Sequence, residues 1–140
     1  MVSISTDDGL LDVGRIHRWL SEDAYWALGR SRETVESSLR GSLNVGAYDD
    51  GPDGPVQVGF LRMVTDRATF AWVCDVYVDP ATRGRGVGKL LLVEADRLLR
   101  ESGVRRAMLA TADAHGLYQQ HGYAPLADPD RWMERVDPDR

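Results

Sequence analysis

The sequence predicts an α/β domain of the α+β type, in which helices flank a mostly antiparallel sheet. The spacing of apolar residues is helical between residues 11 and 40, alternates with period two between residues 42 and 79, and becomes helical again at residues 87–101. A chain of 140 residues is also long enough to bury about two-thirds of its unfolded surface without disulfides. We therefore expect a single domain over residues 1–140.

The first third of the chain is predicted to be largely helical. Residues 2–6 form a short strand, and residues 11–28 form a helix that Ser21 could interrupt, since serine favours helix N-termini. Gly29 fits the end of that helix, and Ser31 caps a second, shorter one. The aromatic side chains of this segment are expected to lie in the core more often than against a ligand.

An antiparallel meander of three strands follows. Alternating apolar residues predict strands that begin at residues 42, 56 and 69, and a loop rich in aspartate and glycine separates the first two. Pro80 ends the third strand, because proline has no N–H group to donate to a neighbouring strand.

A strand–helix–strand unit comes next. Residues 87–101 form a helix with one broad apolar face, and residues 106–111 form the strand after it. A right-handed crossover through this helix makes that strand parallel to the last strand of the meander.

The last thirty or so residues are predicted to hold a short helix and two strands. Asp113 caps the helix, which covers residues 114–121. The strands are expected at residues 123–126 and 132–136, around a turn that reads DPDR.

Composition limits the partners of this chain. A net charge of −5 disfavours nucleic acid, because phosphate binding requires a basic face. One cysteine excludes an intramolecular disulfide, and with three dispersed histidines it argues against a metal site. No run of 18 apolar residues is present and the N-terminus is polar and acidic, so we expect no membrane association and a cytoplasmic location.

The stretch DVYVDPATRGRGVGK, residues 75–89, joins the last meander strand to the long helix through a turn with three glycines. Unpaired N–H groups at a helix N-terminus attract anions, and glycines let the backbone approach a phosphate closely. Two nucleotide-binding motifs do not fit. A Walker A loop needs glycine where Arg83 stands and serine or threonine where Leu90 stands. The glycines alternate as GxGxG, whereas a dinucleotide site requires GxGxxG.

The turn does match the pattern [Q/R]xxGx[G/A] through Arg83, Gly86 and Gly88, and here the sequence resembles the GNAT superfamily of N-acetyltransferases. The family's second motif, a short helix reading LYxxxGF, is similar to LYQQHGY at residues 117–123. The resemblance covers about residues 42–126. It implies a mixed, mostly antiparallel sheet with one splayed pair of parallel strands, and acetyl-CoA as the co-substrate.

The resemblance also implies how the donor binds. The pantetheine arm would pair with backbone groups of the strand, in the opening where two parallel strands splay apart. The pyrophosphate would meet the N–H groups of the glycine turn, to which three basic side chains add charge. The expected donor-binding residues are Val76, Tyr77, Val78, Arg83, Gly84, Arg85, Gly86, Val87, Gly88 and Lys89.

Tyr118 corresponds to the family's usual acid, which stabilises the departing thiolate. A phenol has a pKa near 10 and a thiol one near 8.5, so complete proton transfer is uphill by about 2 kcal/mol. Tyr118 is therefore expected to act largely as a hydrogen-bond donor. An alkylammonium acceptor with a pKa of about 10.4 must also lose a proton before it attacks.

Asp75 is the candidate base or amine anchor, and a structural hydrogen bond to backbone is the alternative. Some relatives place a glutamate on this strand where Trp72 stands here. His115 is a reserve base, and a water is a further candidate. Cys74 alternates with Val76 and Val78 and is expected in the core, so direct attack on the donor is favoured over a covalent intermediate.

The expected activity is therefore direct transfer of an acetyl group from acetyl-CoA to a primary amine of a small molecule or protein, without a metal. The alternatives are a non-catalytic module that binds CoA or acyl-CoA, and an acyltransferase that uses another acyl donor. Homodimers are frequent in such families, so a second copy of the chain is also a candidate partner. The candidate acceptor-pocket residues are Trp26, Trp72, Asp113 and His115.

Overall fold

The computed structural model describes all of residues 1–140. They form two compact units, residues 1–110 and residues 111–140, which are described separately. The strands are β1 (Ser3–Ser5), β2 (Leu43–Asp49), β3 (Val56–Thr65), β4 (Ala71–Val78) and β5 (Ala107–Met108). The α-helices are α1 (Val13–Glu22), α2 (Arg32–Arg40), α3 (Val87–Ser102) and α4 (His115–Gln119), and short 3-10 turns lie at Asp8–Leu10, Pro80–Thr82 and Pro129–Arg131. The prediction of a single domain over residues 1–140 stays a prediction.

The sheet of the first unit confirms the predicted fold class. Its five strands follow the order β1-β2-β3-β4-β5, and every neighbouring pair is antiparallel except β4 and β5. The parallel pair is in register only at Ala71 with Ala107 and at Trp72 with Met108. The strand predicted at residues 106–111 is therefore two residues long, because β4 and β5 separate beyond this point. This is the splayed parallel pair.

Helices cover both faces of this sheet. Helices α1 and α2 enclose a core cluster that includes Ile16, Leu20 and Val35, together with Phe60 and Tyr77 from the sheet. Helix α3 packs against β2, β3 and β4 on the opposite face. A Cβ on Gly59 would stand 2.9 Å from Val87 Cγ1, so a glycine is needed there for α3 to pack this closely on β3.

The helix predicted at residues 11–28 is broken, and α1 ends at Glu22. Ser21 does not cap a second turn. Its hydroxyl instead donates to the carbonyl of His17 within α1, at 2.6 Å. Residues 25–29 form a turn before α2, and Gly29 lies in that turn with a φ of +77°. The cap predicted at Ser31 is confirmed, since its side chain accepts the N–H of Thr34.

The second unit differs from two predictions. Asp113 does not cap α4: the N-cap residue is Ala114, whose N–H donates to Thr111 Oγ1 at 3.1 Å. The two strands predicted at residues 123–126 and 132–136 do not form. Short apolar runs become strands only where another strand pairs with them, and Met133 and Val136 are 96% and 73% exposed instead.

No helix in the structure is both long enough and apolar enough to cross a membrane.

Candidate active site

A β-bulge in β4 shapes the centre of the first unit. Phe60 of β3 faces Tyr77 and Arg62 faces Cys74, so two residues of β4 stand opposite Leu61 alone. One of the two is Asp75, whose φ of +52° lies in the left-handed region. Aspartate tolerates this region better than most residues do, and the extra residue of a bulge commonly adopts an unusual conformation. The bulge aims the Asp75 side chain at the α1–α2 side of the sheet.

The Asp75 carboxylate is almost fully buried and accepts three hydrogen bonds. Trp26 Nε1 donates to Oδ1 at 2.7 Å, while Arg30 Nη1 and Arg62 Nε donate to Oδ2 at 2.8 and 2.6 Å. Burial alone would raise the pKa of Asp75. The hydrogen bond and charge of Arg62, the hydrogen bond of Trp26 and the charge of Arg30 outweigh burial and hold this pKa below its ordinary value.

This environment suits a residue that holds neighbouring segments in place better than it suits a general base. A carboxylate with a lowered pKa and two guanidinium partners has little tendency to accept a proton. Its bonds to Trp26 and Arg30 instead tie the segment between α1 and α2 to the bulge of β4. Of the candidate pocket residues, the structure thus joins Trp26 to Asp75. Trp72 lies on the same strand and is 36% exposed.

Arg30 and Arg62, which bind Asp75, lie outside the motifs that predict the site. The sequence does carry a signal for Arg62, because a carboxylate inside an apolar strand must find a hydrogen-bonded cation or become neutral. Arg62 is the only charged residue between Val56 and Thr65, which makes it the natural candidate. The position of Arg30 depends on how the turn after α1 folds, and no local pattern indicates it.

The bulge also corrects the expectation for Cys74. Residues 60 and 62 of β3 share one face, so Cys74 and Tyr77 opposite them share that face as well. Val78 faces Gly59 and belongs to the other face, so the simple alternation of Cys74 with Val78 is wrong. Cys74 is half-buried, and burial raises the pKa of its thiol to about 11. A thiol of this kind is a poor nucleophile at neutral pH.

The far end of β4 leads into the predicted glycine turn. Gly84 and Gly86 have φ values of +85° and +79°, and a Cβ on either would meet no atom within 4 Å. The left-handed backbone, and not crowding, therefore requires glycine at both positions. Gly86 is the N-cap of α3, and no side chain caps this helix. The first intrahelical hydrogen bond runs from the Leu90 N–H to the Gly86 carbonyl. The N–H groups of residues 87–89 therefore have no intrahelical acceptor and suit an anion.

Arg83 lies across the end of β4. Its Nε donates to the Val78 carbonyl at 3.0 Å, and its guanidinium lies 5.3 Å from the centre of the Tyr77 ring. Its Nη2 is 3.5 Å from Asp23, and the Tyr77 hydroxyl donates to the same carboxylate at 2.5 Å. Burial, followed by the hydrogen bond and charge of Asp23, raises the pKa of Tyr77 to about 12.

The other two basic residues of the turn reach outward. Arg85 Nη1 forms a 3.0 Å ion pair with Asp49, and Lys89 is exposed. A hydrogen bond from the Asp50 N–H, followed by those from the N-terminal amine and Arg85, lowers the pKa of Asp49.

Three candidate residues belong to the second unit. Tyr118 is half-buried in α4, and its ring meets that of Tyr123 edge-on at 6.0 Å between centroids. Asp113 and His115 are exposed at the start of that helix. The roles of these residues stay predictions.

Comparison with known proteins gives a consistent result. Residues 42–125 match the family model described as the acetyltransferase (GNAT) domain, which is the range that carries both sequence motifs. A Gibberella zeae protein assigned as an acetyltransferase is 34% identical over 131 residues, which is 82% of this chain and 74% of that protein. A Xanthomonas campestris crystal structure assigned to the GNAT family is 45% identical, with a TM-score of 0.89 over 99% of this chain and 94% of its own. A GNAT-family acetyltransferase of Streptococcus pneumoniae is 25% identical, with a TM-score of 0.74 over 99% of both chains.

Proposed function

This chain belongs to the GNAT family of acetyltransferases, and from that premise we propose that it transfers the acetyl group of acetyl-CoA directly to a primary amine. The observation that carries the proposal is the uncapped N-terminus of α3, which begins at a left-handed glycine in the turn that follows β4. The parallel neighbour of β4 leaves the end of this strand open, and an anion-binding turn follows the strand. This arrangement suits a long donor that ends in a phosphate group.

In this proposal the donor lies along the open edge of β4. Backbone groups of Val76, Tyr77 and Val78 hold the amide groups of the pantetheine arm. The pyrophosphate meets the N–H groups of residues 83–88, and the basic side chains of Arg83, Arg85 and Lys89 add positive charge. The Val78 carbonyl accepts a hydrogen bond from Arg83 in the free protein, so we expect Arg83 to turn from this carbonyl to the pyrophosphate on binding.

The chemistry needs the acceptor nitrogen to lose two protons and the departing sulfur to be stabilised. A base takes the first proton from the ammonium, and the neutral amine then attacks the thioester carbon, so that a C–N bond forms and the C–S bond breaks. Tyr118 donates a hydrogen bond to the departing sulfur, and the second proton of the nitrogen passes to this thiolate to give CoA thiol. Because its two arginines favour the ionised form of Asp75, we assign Asp75 to positioning and seek the base in His115 or a bound water. A His115→Gln variant with an unchanged rate would indicate the water.

The test is consumption of acetyl-CoA by the full chain over a panel of alkylamines, amino acids, amino sugars and peptides. Release of CoA thiol in equal amount to the acetylated amine, identified by mass spectrometry, is the expected result. Tight binding of CoA without turnover on any amine would instead favour a binding module. Transfer from a longer acyl-CoA alone would favour a different donor. The cytoplasmic location and the homodimer expected from the sequence stay predictions.

A further inference from the structure

Two guanidinium groups converge on a single carboxylate beside the bulge of β4. Arg30 and Arg62 both donate to Oδ2 of Asp75, and Trp26 occupies Oδ1. No other carboxylate forms an ion pair with either arginine. The only further side-chain partner is the neutral hydroxyl of Ser42, 3.1 Å from Arg62 Nη1. The cluster of Arg30, Arg62 and Asp75 therefore carries one positive charge in excess.

Both guanidinium groups keep donors that the protein does not use. Each guanidinium has five N–H groups, and Asp75 and Ser42 occupy only a part of them. Neither arginine has a nitrogen that is both buried and without a partner, so each guanidinium nitrogen that makes no hydrogen bond is reached by solvent. The side chains of Arg30 and Arg62 are 21% and 14% exposed. Partly desolvated cations attract an anion more strongly than surface cations do.

The surface around this cluster is aromatic. Trp26, which bonds Asp75, is 43% exposed, and Trp72 is 36% exposed. Cys74 of β4 is the cross-strand neighbour of Arg62 on β3, so their side chains share one face of the sheet. Trp72 lies two residues before Cys74 and therefore shares this face. Apolar and aromatic side chains with a few placed polar groups are the usual lining of a small-molecule site, and here the placed polar groups are cationic.

The cluster also lies next to the proposed donor. Asp75 directly precedes Val76, where the segment proposed to hold the pantetheine arm begins. Consecutive residues of a strand lie about 3.3 Å apart, so the carboxylate of the cluster belongs to the residue next to that segment. An amine whose negative group binds the cluster would be oriented toward the acetyl group.

We propose that the acceptor is an amine that also carries a negative group, a carboxylate or a phosphate, and that Arg30 and Arg62 bind this group. The inference rests on the proposed acetyltransferase function and names the class of its acceptor. Asp75 is then a positioning residue, which fixes both guanidinium groups and leaves their outer donors to the substrate.

Matched pairs of amines test the proposal. Glycine, β-alanine and 4-aminobutyrate are each compared with their carboxamides, which lack the negative group, and 2-aminoethylphosphonate is compared with ethylamine. We expect kcat/KM to be about 10-fold or more higher for the charged member of at least one pair, as a charge-assisted hydrogen bond to a partly buried arginine would produce. The carboxylate and phosphonate arms identify the preferred anion. Equal rates within every pair would overturn the proposal.

An Arg30→Gln variant provides the second test. It removes the excess charge while Arg62 and Trp26 still bond Asp75, so the fold should persist, which circular dichroism checks. We expect the preference for the charged amine to fall about 10-fold through a higher KM. Arg100→Gln is the matched control, because Arg100 is 80% exposed and pairs only with Asp96. Retention of the full preference by Arg30→Gln would contradict the proposal.

The two hypotheses fail in different ways. If neutral amines are acetylated and charged ones are not preferred, the inference on the acceptor fails alone. If no amine reacts, the proposed function fails, and binding of 4-acetamidobutyrate to the CoA-loaded protein is measured by calorimetry against 4-acetamidobutanamide. Tighter binding of the charged compound that Arg30→Gln abolishes would still support the anion site, and equal binding would overturn it.

Discussion

Gly86 allows a controlled test of the proposed donor site, because a matched glycine ends the same helix. Gly86 precedes α3 with φ and ψ of 79° and 17°, and Gly103 follows α3 with 77° and 13°. A Cβ at either position would meet no atom within 4 Å. Alanine should therefore cost the same at both positions, about 1–2 kcal/mol of left-handed strain. For a chain of this length that loss lowers Tm by roughly 3–7 °C.

Only Gly86 borders the proposed pyrophosphate site. We expect Gly86→Ala to raise the Kd for CoA about 10-fold or more, because its Cβ would separate the phosphate from the N–H groups at the start of α3. Gly103→Ala should leave this Kd within about 2-fold of that of the unsubstituted protein, since it changes stability alone. Isothermal calorimetry measures the Kd, and thermal unfolding measures the shared loss of stability.

Two outcomes would refute this reasoning. Equal CoA affinity in Gly86→Ala, Gly103→Ala and the unsubstituted protein would show that the turn does not bind the donor. A loss of stability by one variant several times that of the other would show that the strain at the two glycines is not equivalent.

Four further outcomes are expected. Asp75→Asn should lower the free energy of unfolding at pH 7 by about 3 kcal/mol, because it leaves two guanidinium groups without a buried counter-charge. Chemical denaturation measures this free energy, and a change under about 1 kcal/mol would contradict the expectation. The pKa of Asp75 is lower in the folded than in the unfolded state, so its stabilising contribution is present above about pH 4 and disappears as pH falls through the folded-state value. The Tm values of the unsubstituted protein and of Asp75→Asn should therefore converge in acid. A Tm difference that stays constant with pH would exclude this linkage. Cys74→Ser should keep turnover within about 2-fold, since a thiol with a pKa of about 11 is almost fully protonated at pH 7, and loss of activity would restore a covalent route. Tyr118→Phe should reduce kcat roughly 100-fold with an unchanged circular dichroism spectrum, and an unchanged kcat would remove Tyr118 from the mechanism.

Local patterns in the sequence were sufficient for most of the first unit. The Ser31 cap, the alternation that forms β2 to β4, and the apolar face of α3 each depend on residues a few positions apart. The left-handed glycines of the turn are local as well, because φ is a property of one residue. The same locality explains the failed strands at residues 123–126 and 132–136, where the pattern was present and a pairing strand was not.

The sequence by itself determined the strand, the glycine turn and the helix α3 that follows it, and from these it predicts an anion site at the start of α3. Only the tertiary structure decided what surrounds Asp75. The β-bulge that turns Asp75 toward the helices depends on register with β3, and the partners Trp26, Arg30 and Arg62 lie 49, 45 and 13 residues away in the chain. The free energy of burying a carboxylate depends on which cations the fold places beside it. Two arginines around one aspartate therefore became visible only once the chain was folded.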